Sequence, residues 1–242
     1  MNNNSDNYVE SSRNRRQSAE TKQAKIRDRR QYLTMWILPS VVIGGWFYPV
    51  LGYLLPICMI AAMGIALFKG RYWCDWMCPR GATWDLFLSK FSLKKEVPPF
   101  FRSIYFRMLW IMILMGVLAL KLPHALASLD PVNEVGMVFT MLLTVTTLVG
   151  IFLGSPTHHR IWCGFCPIGT MSNWIGRGKY ALEINSSCKE CKTCHEVCPM
   201  QIKKWENKPE KGWAVVDNWD CLKCRLCIEV CPENSLKFRD AS

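Results

Sequence analysis

The sequence predicts a membrane α-helical protein of four transmembrane helices, arranged as two pseudo-repeats and followed by a small C-terminal α+β module. Three observations carry this. No charged residue occurs from Tyr32 to Phe68, a run longer than the roughly 20 apolar residues that cross a ~30 Å hydrocarbon core. The stretch RYWCDWMCPRGATW at 71–84 recurs as RIWCGFCPIGTMSNW at 160–174, each copy directly after an apolar run. In the tail, CKECKTCHEVCP at 188–199 and CLKCRLCIEVCP at 221–232 align at an offset of 33. Three segments follow: a basic polar arm at 1–31, a membrane domain at 32–183 and a cysteine module at 184–242.

Half of the 242 residues are apolar, yet the formal net charge is +11. The two properties are compatible because they are segregated along the chain. The arm carries Arg13, Arg15, Arg16, Lys22, Lys25, Arg27, Arg29 and Arg30, a composition expected to stay disordered or to form a surface helix. It abuts an apolar run, so its expected role is topological or attraction to anionic lipid headgroups, and nucleic acid is not the expected partner. The uncharged run fits two short spans, at 33–48 and 52–68, with Gly44, Gly45, Pro49 and Gly52 supplying the turn. Further spans are predicted at 104–120 and 135–153. Trp36, Trp46, Tyr48, Tyr53 and Trp162 fall near the proposed ends, where aromatic rings anchor at the interface.

Loop charge orients the bundle. The arm, the 69–107 segment and the segment after the fourth span are basic, whereas KLPHALASLDPVNE contributes only Lys121. The positive-inside rule then places both termini on the cytoplasmic side of a prokaryotic inner membrane. No A-x-A site follows the first apolar run, so no cleaved signal peptide is expected.

Each tail motif reads C-x2-C-x2-C-x3-C-P, the run that holds [4Fe–4S] clusters in bacterial ferredoxins, with the fourth cysteine serving the other cluster. Cys188, Cys191, Cys194 and Cys231 are therefore assigned to one cluster, and Cys221, Cys224, Cys227 and Cys198 to a second. Zinc sites use two separated ligand pairs and lack the tandem third cysteine. The intervening GWAVVDNW alternates weakly and is expected to supply a strand, while His195 and Glu196 read as solvated surface.

The two Cys-Pro stretches offer four more thiols, Cys74, Cys78, Cys163 and Cys166. Brought together they would suit a third iron–sulfur or other metal centre; the competing reading is a pair of redox dithiols. Their spacing differs, C-x3-C-P against C-x2-C-P. Arg71, Arg80 and Arg160 beside them read either as topology determinants or as charges that attract an acidic donor or raise a centre's potential. Cys58 reads as an isolated buried thiol. His124, His158, His159 and His195 do not face one another from within the spans, so a bis-histidine haem is not expected; loop or headgroup contacts are expected for His158 and His159.

Paired helices ending in Cys-Pro motifs, followed by this tail, resemble the NapH-type membrane ferredoxins of periplasmic nitrate reduction. They also resemble the membrane half of NosR and the CcoG family. The resemblance covers roughly residues 33 to 242. It implies electron transfer between the quinone pool or cytoplasmic donors and a partner redox protein, within a multi-subunit complex. A CcoG-like role, reducing or handling a metal during assembly of another enzyme, is the alternative. A reporter fused after Ser242 is expected to be active only inside the cytoplasm; activity solely outside would refute the four-span topology.

Overall fold

Prolines and glycines punctuate the helices. The computed structural model describes residues 23–216 and 218–239, and most of the predicted arm lies outside the described residues. Its last part is helical: α1 spans Gln23–Met35 and α2 spans Ile37–Gly44. Pro39 accounts for the break between them, because it has no N–H for the carbonyl of Met35 and its ring crowds that carbonyl. The stretch expected as one span at 33–48 is thus two helices meeting at Trp36, the first of them rich in charge.

Three helices among the described residues are long and apolar enough to cross a membrane, at Pro49–Lys69, Ile104–Leu126 and Pro131–Gly154. The first opens with a 3-10 turn at Pro49–Tyr53 and continues as α3, Leu54–Lys69. Ile104–Leu126 is numbered α6 and Pro131–Gly154 α7. The segment from Gln31 to Pro49 also contacts the helical part at both of its ends. Gln31 Nε2 donates to the carbonyl of Asp75 at one end (2.9 Å), and Pro49 abuts Gly136 at the other.

Two short helices follow each of α3 and α7. After α3 come α4 (Tyr72–Trp76) and α5 (Pro79–Leu86); after α7 come α8 (Ile161–Phe165) and α9 (Pro167–Ile175). The tail forms a three-stranded antiparallel sheet of order β2-β1-β3, from β1 (Leu182–Asn185), β2 (Trp213–Val215) and β3 (Leu236–Phe238). Strand β2 falls inside the weakly alternating stretch. Single helical turns α10 (Thr193–Glu196) and α11 (Leu226–Glu229) lie within the two cysteine motifs.

The outward faces of the long helices stay apolar and exposed, with Ile57, Ile60, Leu109, Met112, Leu148 and Phe152 among the exposed side chains. Such a surface suits hydrocarbon rather than water. Trp162, expected at an interface, is instead 2% exposed and packs edge-on against Trp110 and Phe165. Tail and membrane part share one core: Cys74, Trp84, Leu88 and Cys163 are continuous with Leu182, Ile184, Met200 and Leu236.

Small residues set the closest approach in the bundle. A Cβ on Gly136 would lie 2.2 Å from the carbonyl oxygen of Pro49, and one on Gly52 would lie 2.1 Å from that of Gly136. Because the obstacle is backbone on both sides, no rotamer relieves it. Gly136→Leu is therefore expected to lower stability by about 1–3 kcal/mol, read as a reduced thermal midpoint in detergent; an unchanged midpoint would contradict this packing.

Candidate functional site

The second cysteine of each Cys-Pro turn is aimed by the proline behind it. A residue before proline is pushed out of the helical region, and Cys78 (ψ 117°) and Cys166 (ψ 127°) are both extended, each preceding a proline at the start of a helix. The unequal spacing is absorbed locally. Met77, exposed and at φ −135°, is an extra residue after α4, while α8 runs straight into Cys166.

The two turns grip each other through arginine. Arg71 Nη2 donates to the carbonyl of Cys163 (2.6 Å), and Arg160 Nη1 donates to the carbonyl of Cys74 (3.1 Å). Each guanidinium lies over a glycine of the opposite turn, Arg71 on Gly169 and Arg160 on Gly81, where a Cβ would stand 2.6 and 2.9 Å from a guanidinium nitrogen. The result brings Cys74, Cys78, Cys163 and Cys166 to the wall of one cavity of about 100 Å³. Its other walls are mainly apolar, including Leu38, Val41, Leu54 and Leu143, and Cys58 borders it too.

Burial pushes the Cys74 thiol up to about 11 and the Cys78 thiol up to about 12, and it raises Cys163 as well. Buried thiols of this kind are poor nucleophiles at neutral pH. Among the described residues, no three His, Cys, Asp or Glu side chains close on one point as a lone ion needs. Arg80 also borders the cavity, lying 5.1 Å over the Trp162 ring and donating to Thr146 Oγ1 at 2.9 Å. It has no carboxylate partner among the described residues.

Buried ion pairs surround the turns. Arg27 donates to both carboxylate oxygens of Asp75 (2.7 and 2.9 Å) and pairs with Asp85. Arg160 Nε donates to Asp85 (2.6 Å), and His159 Nε2 lies 3.5 Å from the same carboxylate. Burial alone would raise Asp85, but Arg160, His159 and Arg27 together hold it well below the usual carboxylate value. Arg71 and Arg160 are each 1% exposed, so both guanidinium groups find their partners inside the protein. His158 stacks on His159 at 4.2 Å and accepts from the Arg160 N–H, so both histidines serve loop contacts here.

Arg71 also reaches the tail. Its Nη1 donates to the carbonyl of Trp219 (3.1 Å) and to Asp220 (3.2 Å), the residue before Cys221. Arg107 donates to the same Asp220 oxygen at 2.7 Å. Asp75, Asp85, Asp220, Arg27 and Gln31 were not legible as site residues. The available signal was positional: Asp75 and Asp85 flank the first Cys-Pro turn, and Asp220 abuts the second tail motif.

In the tail, each cavity draws three cysteines from one motif and one from the other. Cys188, Cys191, Cys194 and Cys231 line the first; Cys221, Cys224, Cys227 and Cys198 line the second. Three left-handed non-glycine residues recur at the offset of 33: Glu190 (φ 55°) with Lys223 (58°), Lys192 (63°) with Arg225 (70°), and Gln201 (50°) with Asn234 (49°). Such conformations persist where the surroundings demand them. Here they wrap the backbone around the sulfurs, and the N–H groups of Glu190 and Ser235 donate to Cys188 and Cys231 Sγ at 3.4 Å. Four cysteines in each cavity, with inward N–H donors in the first, fit an iron–sulfur cluster.

Lys204 lies between the two cavities, 2% exposed. Burial would lower its pKa, but Cys227, Cys198, Cys194 and Cys221 outweigh that and hold it above the ordinary lysine value. His195 and Glu196, expected on open surface, border a polar cleft together with His158 and His159. His195 also packs edge-on against Trp205 at 5.5 Å.

Comparison with known proteins agrees with this chemistry. The family model described as "4Fe-4S binding domain" matches residues 51–98 and 136–185, and that described as "4Fe-4S dicluster domain" matches 187–235. Two uncharacterized proteins of Methanocaldococcus jannaschii, MJ0750 and MJ0749, are each 26% identical to this chain. MJ0750 aligns over 63% of this chain and 68% of its own length, and MJ0749 over 70% and 72%. The methylamine utilization ferredoxin-type protein MauN of Methylobacillus flagellatus is 29% identical over 55% of this chain and 50% of its own. No solved structure matches. The chain carries 4Fe-4S binding domains of ferredoxin type, and its relationship to MauN is distant.

The ion pairs of Asp220 make the docking of the tail testable. Removing one partner of a buried pair costs about 3–5 kcal/mol, so Asp220→Ala is expected to release the tail. Limited proteolysis of the purified protein should then cut near residues 176–181 much faster than in the wild type. Equal rates would show that the apolar core alone holds the tail in place.

Proposed function

We propose that this chain is a polytopic membrane electron carrier that relays single electrons between the quinone pool, or a cytoplasmic donor, and a partner redox enzyme. The observation that carries this reading is the buried continuity between the four-cysteine cavity and the tail. Arg71 is hydrogen-bonded at once to the Cys163 carbonyl, to the Trp219 carbonyl and to Asp220. This linkage supports a reading in which three cysteine sets act together.

In this reading Cys188, Cys191, Cys194 and Cys231 hold one [4Fe–4S] cluster, and Cys221, Cys224, Cys227 and Cys198 hold the second. Cys74, Cys78, Cys163 and Cys166 hold a third. Bound there, such clusters supply one-electron chemistry in which the added charge spreads over several metal–sulfur bonds. Support for the third comes from the 4Fe-4S binding domain match, which spans both Cys-Pro turns. Arg80 adds to it: a half-buried cation with no carboxylate partner among the described residues suits an anionic thiolate centre.

The chain's own residues do the rest. The reciprocal arginines hold the two turns as halves of a pseudo-twofold repeat. Apolar packing keeps water from the thiols. Leu38, Val41, Leu54 and Leu143 give the cysteine cavity an apolar wall, outside which a quinone from the bilayer would approach the centre. Residues 32–49 form the fourth span, and both termini lie in the cytoplasm. Electrons leave through the tail to a partner protein.

The decisive measurement is iron and sulfide content after anaerobic purification. Roughly 12 iron per chain is expected, falling by about a third when Cys74 and Cys163 are both replaced by Ala. A wild type holding only about 8 iron, with copper binding abolished by the same substitutions, would instead favour the CcoG-like metal-handling reading.

A further inference from the structure

We propose that Lys204 sets the reduction potentials of both tail clusters, raising them by fixing one unneutralised positive charge between the two cavities. The inference rests on the reading of those cavities as [4Fe–4S] sites. Lys204 opens the 3-10 turn Lys204–Asn207 that links the two cysteine motifs. Its ammonium donates to the carbonyl of Cys194 (3.1 Å), a cysteine of the first set, and to that of Ile202 (3.4 Å). The same side chain lines the second cavity together with Cys198, Cys221, Cys224 and Cys227. One cation thus touches both sets.

Among the described residues, no acidic side chain forms an ion pair with Lys204. An isolated ammonium buried to 2% exposure is costly unless negative charge is close by, and the cysteines of the two sets supply it. Reduction adds a further electron beside this cation. The attraction acts through a poorly screened interior, so the reduced form gains and the potential rises. The neighbouring Lys203 is exposed; its charge is screened by water and leaves the potentials unmoved.

The test is an EPR-monitored redox titration of the purified, cluster-loaded protein, run on wild type, Lys204→Met, Lys204→Gln, Lys204→Arg and Lys203→Met. At a fixed ambient potential, the reduced-to-oxidised ratio of both clusters is expected to fall by about tenfold in the two neutral Lys204 variants, a shift of about 59 mV for one electron. Lys204→Arg and Lys203→Met should titrate close to wild type. Unmoved midpoints in Lys204→Met with iron and sulfide intact would overturn the inference. So would loss of iron from both neutral variants, since the charge would then serve assembly rather than potential. Absence of clusters from the wild type is a separate result, and it would remove the functional reading itself.

Discussion

A guanidinium denied water must find every partner inside the protein, and Arg71 and Arg160 impose that constraint on everything around them. Each is 1% exposed, so carbonyls, carboxylates and close-lying glycines must all come to it. Arg160 draws in Asp75 and Asp85, and these carboxylates fix Arg27 and Gln31 of α1. Arg71 draws in Cys163, Trp219 and Asp220. Breaking one partner would strand charge in a low-dielectric interior, where the penalty far exceeds the worth of a surface pair. The cost of leaving any one contact unmade is what makes α1, the two turns and the tail a single unit.

The cysteines depend on a different local rule. Proline forces extension on the residue before it, so Cys78 and Cys166 swing out of their helices whatever the preceding spacing. This explains how C-x3-C and C-x2-C deliver sulfurs to the same cavity. The tail achieves the equivalent with left-handed residues at matched positions of the two motifs. In both places backbone conformation aims the sulfur, and side-chain packing then holds the aim.

The cysteine sets were legible because ligand spacing is a local property. The twelve motif cysteines line three cavities, four to each, and the apolar runs marked the three long helices. What hid was the consequence of distance in sequence. Arg71 and Asp220 lie 149 positions apart, so nothing local distinguishes a buried arginine from a loop charge obeying the positive-inside rule. Trp162 was misplaced for the same reason, since a tryptophan at a helix end packs inward only if another helix covers it. Pro39 lies inside the uncharged run, whose apolarity masks the helix break it imposes. Lys204 offered no signal at all beyond its place between two motifs.

The exchange of fourth cysteines between the tail cavities bears on how the protein is made. The first cavity is closed by Cys231, the last cysteine in the chain. The second set is complete once Cys227 has joined Cys198, Cys221 and Cys224, so the first set, begun at Cys188, is the last to be closed. By then the apolar helices have long emerged. The order of the chain therefore puts Arg71 and Arg107, which hold Asp220, ahead of the tail that sits on them.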